Sequence, residues 1–164
     1  MRPVPPRSGP ERAMLDGFLD FHRQTLLDKC ADLSGEQLAV RAVPPSRLSL
    51  QGLVRHLAGV ERWWFRQNMC GMRLPMLGYT KAQPDLDFEG VDASRWVEDL
   101  EVYRGEVAAA RDAVADLDLD ATSTGPGGEV ISLRWVCLHV IAEYARHNGH
   151  ADLLRESIDG STGW

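Results

Sequence analysis

Four long stretches of this chain repeat apolar residues at three- and four-residue steps, and no stretch sustains the every-second-residue rhythm of a strand. That periodicity restricts the fold to packed amphipathic helices. The first stretch runs from Glu11 to about Leu33, with Met14, Phe18, Phe21, Thr25 and Leu26 on one stripe. Ser34-Gly35-Glu36-Gln37 then reads as a capping box opening a short helical turn. The segment Arg41 to Arg47 contains Pro44-Pro45 and predicts a connection. Ser49 is placed to cap a second helix reaching about Asn68, Asp92 a third from about Ala93 to Leu117, and Ser132 a fourth to about Ile158. Gly160 follows as the stop. Between them lie a long loop over residues 70–91, broken by Gly71, Pro75, Gly78, Pro84 and Gly90, and a glycine-rich connector from Thr122 to Gly128. The expected architecture is all-α: a four-helix bundle with longer crossover loops, one domain over residues 1–164, residues 1–10 forming a tail.

Composition narrows the partners. A formal net charge of -6 argues against nucleic acid, whose phosphates call for a basic surface. No apolar run has the 18 or so residues of a membrane span, and the N-terminus lacks the apolar core of a secretory signal, so the expected location is cytoplasmic. Cys30, Cys70 and Cys137 are odd in number and have no paired spacing, which argues against a disulfide framework or a cysteine zinc site; Cys70, at a helix end, is the better candidate for a free thiol. Lys29 and Lys81 are the only lysines among the basic residues, a bias that reads as the codon usage of a GC-rich genome.

The chemistry concentrates in histidines. Of five in the chain, three fall in the last helix, where His139, Glu143, His147 and His150 follow at steps of four, four and three. At about 100° per residue these positions lie within roughly 80° of one another. The same arithmetic puts Trp135, Val136, Leu153 and Leu154 on that side, so the polar column sits in the apolar stripe, where unpartnered imidazoles and acids are costly. His56, in Leu53-Val54-Arg55-His56-Leu57, also points to the core, whereas His22 reads as an isolated core histidine. Two solutions satisfy such a cluster: a hydrogen-bonded network, or a divalent cation held between facing helices. Periodicity alone does not select three ligands from the five residues.

Two segments, residues 53–64 (LVRHLAGVERWW) and residues 139–156 (HVIAEYARHNGHADLLRE), resemble the DinB-like superfamily, in particular its branch related to mycothiol-dependent S-transferases and to the N-terminal domains of maleylpyruvate isomerases. The resemblance covers nearly the whole chain and implies a four-helix bundle with three metal ligands, one on the second helix and two, four residues apart, on the last. Carried over, these are His56, Glu143 and His147. Many relatives have histidine where Glu143 stands; the maleylpyruvate isomerases have glutamate. Their extra C-terminal domain has no room here, which counts against that isomerisation.

Two histidines and a carboxylate leave coordination positions open, as in catalytic zinc sites, and nickel or iron accept the same set. The resemblance implies a low-molecular-weight thiol as cosubstrate, mycothiol by the codon bias, activated for attack on an electrophile. His150 and His139 are then candidates for moving protons or orienting ligands. Arg55, Arg73 and Tyr79 are candidates for contacts to the thiol cofactor, Arg73, Tyr79 and Lys81 lying in the long loop that would cover it; Arg55 and Arg62 also read as solvated helix surface. The alternatives are a metal-dependent hydrolase and a non-catalytic metal-binding stress protein. The run Trp63-Trp64-Phe65 cannot face one core together, which raises the expectation of a homodimer.

Overall fold

The structure, a computed structural model, describes residues 3–78 and 82–163. Tyr79 and Lys81 therefore lie outside the described residues. The chain is mostly helical, in the order α1 (Glu11–Cys30), α2 (Gly35–Ala39), α3 (Leu50–Glu61), a π-helical stretch (Arg62–Met69), α4 (Leu86–Glu89), a 3-10 turn (Ala93–Arg95), α5 (Trp96–Val114), β1 (Thr122–Thr124), β2 (Val130–Ser132) and α6 (Leu133–Asp159). No described helix is long and apolar enough to cross a membrane.

The expected caps are present. Ser34 and Gln37 form a reciprocal capping box, Ser49 accepts from the Gly52 amide and Ser132 from the Trp135 amide. Each satisfies a backbone donor that a helix start leaves without a partner. Gly160, at φ +77°, ends α6 in the left-handed conformation that favours glycine. Asp92 caps the 3-10 turn that leads into α5.

Three expectations are corrected. Thr122 to Gly128 is no plain connector: β1 and β2 pair antiparallel, Thr122 opposite Ser132, around the glycine turn. Three residues per strand are too few for alternation to show in the sequence. The buried stripe of α1 is Leu15, Leu19, Leu26 and Cys30, while Phe18 is 45% exposed. On α6, Trp135 and Leu153 are exposed, and Val136, Val140, Tyr144, Ala151 and Leu154 face inward. Both slips come from reading a helix phase without knowing which neighbours cover it.

Helix α1 packs along α6, and α3 along α5, with α3 also meeting α6. One buried polar group ties these four helices together. Glu61, fully buried at the end of α3, accepts from Arg23 Nε at 2.7 Å, Arg23 Nη2 at 2.8 Å and the Tyr144 hydroxyl at 2.8 Å. The Tyr103 hydroxyl on α5 lies 3.0 Å from that of Tyr144. Burial, with the Glu61 charge, pushes both phenols up, so they remain protonated donors. A charge this deep persists because its partners are complete.

Just beyond Glu61 the helix widens into its π-helical stretch, a form found mostly in short pieces and often at functional sites. Here Phe65 turns into the core, 1% exposed, while Trp63 and Trp64 remain half-buried beside the long loop. The run thus divides between core and cavity wall, Phe65 in the former and the two indoles in the latter.

Candidate metal centre

Helix α3 brings His56, and α6 brings Glu143 and His147, to the same point. One ligand-type atom from each lies within 4.8 Å of the other two. His147 is buried and the other two are half-buried. The i, i+4 relation on α6 sets His147 Nε2 3.5 Å from Glu143 Oε2. The His56 and His147 rings meet edge to face, with centroids 4.8 Å apart.

The electrostatics suit a cation. Burial, reinforced by His56 and His150, pushes the His147 imidazole down to about 4, so it is neutral at neutral pH with a lone pair available. Glu143 faces His147 at 3.5 Å and His139 at 4.0 Å, beyond good hydrogen-bond length, and Arg146 approaches only to 3.8 Å. Ligands around a tetrahedral ion with bonds of about 2.1 Å sit roughly 3.4 Å apart, which small side-chain rotations reach from this arrangement. The donor set therefore fits a divalent metal.

Support behind the cluster comes from residues the sequence reading passed over. Asp87, on the four-residue α4, is buried and holds His56 Nδ1 at 3.2 Å through Oδ2. That contact leaves His56 Nε2 free to face the cluster, the arrangement in which a carboxylate orients a metal-binding histidine. The ring of Phe88 lies against His56, centroids 5.2 Å apart. Gly78 makes room: its φ is +63°, and a Cβ there would overlap the Asp87 carboxyl. The only signal in the sequence was an acid and an aromatic side by side in a glycine- and proline-broken loop.

The other candidate residues take various places. His150 stands behind His147, their Nδ1 atoms 3.4 Å apart. His139 is stacked on Trp135, with centroids 4.8 Å apart and planes at 10°, and meets Trp64 at 4.4 Å. It borders the cluster through Glu143 alone. Arg55 turns to the Leu86 carbonyl at 3.3 Å and to Asp99 at 3.7 Å; Arg62 reaches the Pro75 carbonyl and Glu106. Both are mostly covered rather than solvated, and both tie the long loop to α3 and its continuation. Arg73 is exposed.

Beside the cluster opens a cavity of about 700 Å3, with His56 in its wall. Val60, Trp63 and Trp64 line one side; Met76, Leu77 and Phe88 from the loop line the other. The loop expected to cover the site with Arg73, Tyr79 and Lys81 contributes, among its described residues, the apolar Met76, Leu77, Pro84 and Phe88 together with the acids Asp85 and Asp87.

The model of one protein family, described as mycothiol-S-transferase, matches residues 14–160. No curated protein and no solved structure was matched.

Proposed function

The chain belongs to the mycothiol-S-transferase family, and from that premise we propose that it is a metal-dependent enzyme joining the sulfur of a small thiol, mycothiol by the family's name, to an electrophile. The observation that carries this reading is the convergence of a neutral buried imidazole, a carboxylate and a second imidazole at the edge of a largely apolar, partly open cavity. His56, Glu143 and His147 would hold the ion, with zinc as the first candidate and nickel or iron as others. When bound, a divalent cation supplies the positive charge that favours thiolate over thiol at neutral pH. We take the four long helices to form a four-helix bundle that keeps these ligands in place, and the protein to work in the cytoplasm.

The remaining work falls to the chain itself. Asp87 fixes the tautomer and direction of His56, and His150 does the same from behind His147. His150, half-buried beside the cluster, carries the thiol proton to solvent; His139, 4.0 Å from Glu143, stands where a small ring rotation would let it donate to that carboxylate and orient it. Trp64, Phe88 and Leu77 keep water from the reacting sulfur. In the transfer, the S–H bond gives up its proton, a carbon–sulfur bond forms, and the leaving group departs with its electron pair.

The test measures thiol and electrophile loss together, with protein stripped by chelator and then reloaded with zinc. One-to-one consumption that needs both protein and metal supports the proposal. Consumption of the electrophile or of model esters without any thiol would instead identify a hydrolase. Bound metal with neither reaction would leave a metal-binding protein.

A further inference from the structure

We infer, on the reading that the His56/Glu143/His147 cluster activates a thiol, that the electrophile is an uncharged, largely apolar molecule of aromatic size, seated in the 700 Å3 cavity between the π-helical stretch and the long loop. The volume lies in the range of small-molecule sites, about 300–1,000 Å3. Position is the first argument: His56 belongs to the cluster and also to the cavity wall, so a molecule in the cavity adjoins the cluster that activates the sulfur.

The wall chemistry is the second. Trp63, Trp64 and Phe88 offer flat aromatic surfaces suited to another ring, and Val60, Met76 and Leu77 fill the space between them. The charged side chains lining the cavity among the described residues are Asp85 and Asp87. Asp87 meets His56 through Oδ2 while its buried Oδ1 has no partner among the described residues, and Asp85 lies 3.6 Å from Arg47 on the surface. A carboxylated electrophile entering here would lose water and meet two acids without a described cation in the lining, a combination that buried anions do not tolerate. A polar cavity elsewhere offers the contrast. The space of about 410 Å3 around Arg12, Asp16, Asp20, Arg23 and Arg111 is lined by charges already joined in pairs: Arg12 with Asp16, Arg111 with Asp20, and Arg23 with Glu61. Among the described residues its charges are thus mutually engaged, and none of its lining belongs to the cluster.

The experiment compares two electrophiles of one shape, 4-chloro-3,5-dinitrobenzotrifluoride and 4-chloro-3,5-dinitrobenzoate. In both, the thiol sulfur bonds to the ring carbon and chloride leaves with the bonding pair, the thiol proton passing to buffer. Zinc-loaded protein with mycothiol should accelerate the trifluoromethyl compound about tenfold or more over the carboxylate, each relative to its uncatalysed rate. Met76→Arg, at an exposed position on the rim, should narrow that ratio by bringing in a cation. A second readout needs no turnover: the unreactive 1,3-dinitrobenzene should quench indole fluorescence of the metal-free protein saturably, and Trp63→Leu should weaken that binding. Equal or reversed acceleration of the two electrophiles overturns the inference, as does quenching that Trp63→Leu leaves unchanged. The underlying transfer reading fails differently, with no acceleration of either compound while saturable quenching persists. In that case the ligand class of the cavity stands and its chemistry does not.

Discussion

Two polar clusters sit in the same helical framework, and they are built on opposite principles. Around Glu61, donors and acceptors match: guanidinium and phenol reach the carboxylate at 2.7 to 2.8 Å. Around Glu143, a carboxylate and a neutral imidazole face each other at 3.5 Å, and the nearest further partners stand at 3.8 and 4.0 Å. The two clusters even share helices. Glu61 follows His56 by five residues on α3, and Tyr144 directly follows Glu143 on α6, where a step of about 100° sends the neighbours to different partners. A closed cluster braces the fold; one rich in unshared lone pairs has capacity for a cation.

That contrast can be broken by mutation. His147→Ala should have the largest effect, taking metal content from about one ion per chain to near none and thiol transfer down by about 100-fold or more, with the helical circular dichroism retained. Elemental analysis beside a thiol-consumption assay decides it, and an ion that stays bound sinks the assignment of this cluster. Arg23→Ala should do the reverse. It strands Glu61 without its ion-pair partner, which costs about 3–5 kcal/mol and lowers the thermal midpoint by roughly 10 °C, while the chains still folded keep their metal. Loss of metal in proportion to stability would mean the two clusters are one.

The comparison can also be sharpened without touching the brace. In chelator-treated protein, the unfolded chain protonates His147 near its ordinary value of 6.5, whereas the folded chain holds it down to about 4. Between those values the unfolded state binds more protons, so stability is complete above pH 6.5 and is lost as pH falls towards 4, by up to about 3 kcal/mol. Thermal midpoints across that window should fall more steeply for the native chain than for His147→Ala; parallel curves would contradict the burial argument. Asp87→Ala should have the mildest effect, weakening metal affinity about 10- to 100-fold with the ligand set intact. A competition titration against a coloured chelator reads this, and an unchanged constant would remove Asp87 from the site.

The parts of the site that were legible in the sequence are those built by local repetition. His139, Glu143, His147 and His150 share a face because a helix has a fixed angle per residue, and Ser49, Ser132 and Gly160 mark helix ends because their side-chain or backbone properties act within a few residues. Resemblance to relatives, rather than periodicity, selected Glu143 and His147 from that column and joined them to His56 on α3. Asp87 stayed hidden because its partner His56 lies 31 residues away across a loop with no repeating pattern. Glu61 was hidden for a similar reason, since Arg23 is 38 residues distant and both look like ordinary helix-surface charges. The phase errors at Phe18, Trp135 and Leu153 belong here too, because exposure depends on which element lies opposite.

By itself, then, the order of residues determined where the long helices lie, to within about a turn at α1 and α5, and which imidazoles and acids each could present along one side, since those properties arise within a turn or two of backbone. Only the tertiary structure decided that α3 meets α6 at His56, that a four-residue helix supplies Asp87, and that two indoles wall a cavity. These outcomes depend on packing between segments far apart in the chain, where the competition among neighbours for buried area and hydrogen bonds sets each side chain's final partner.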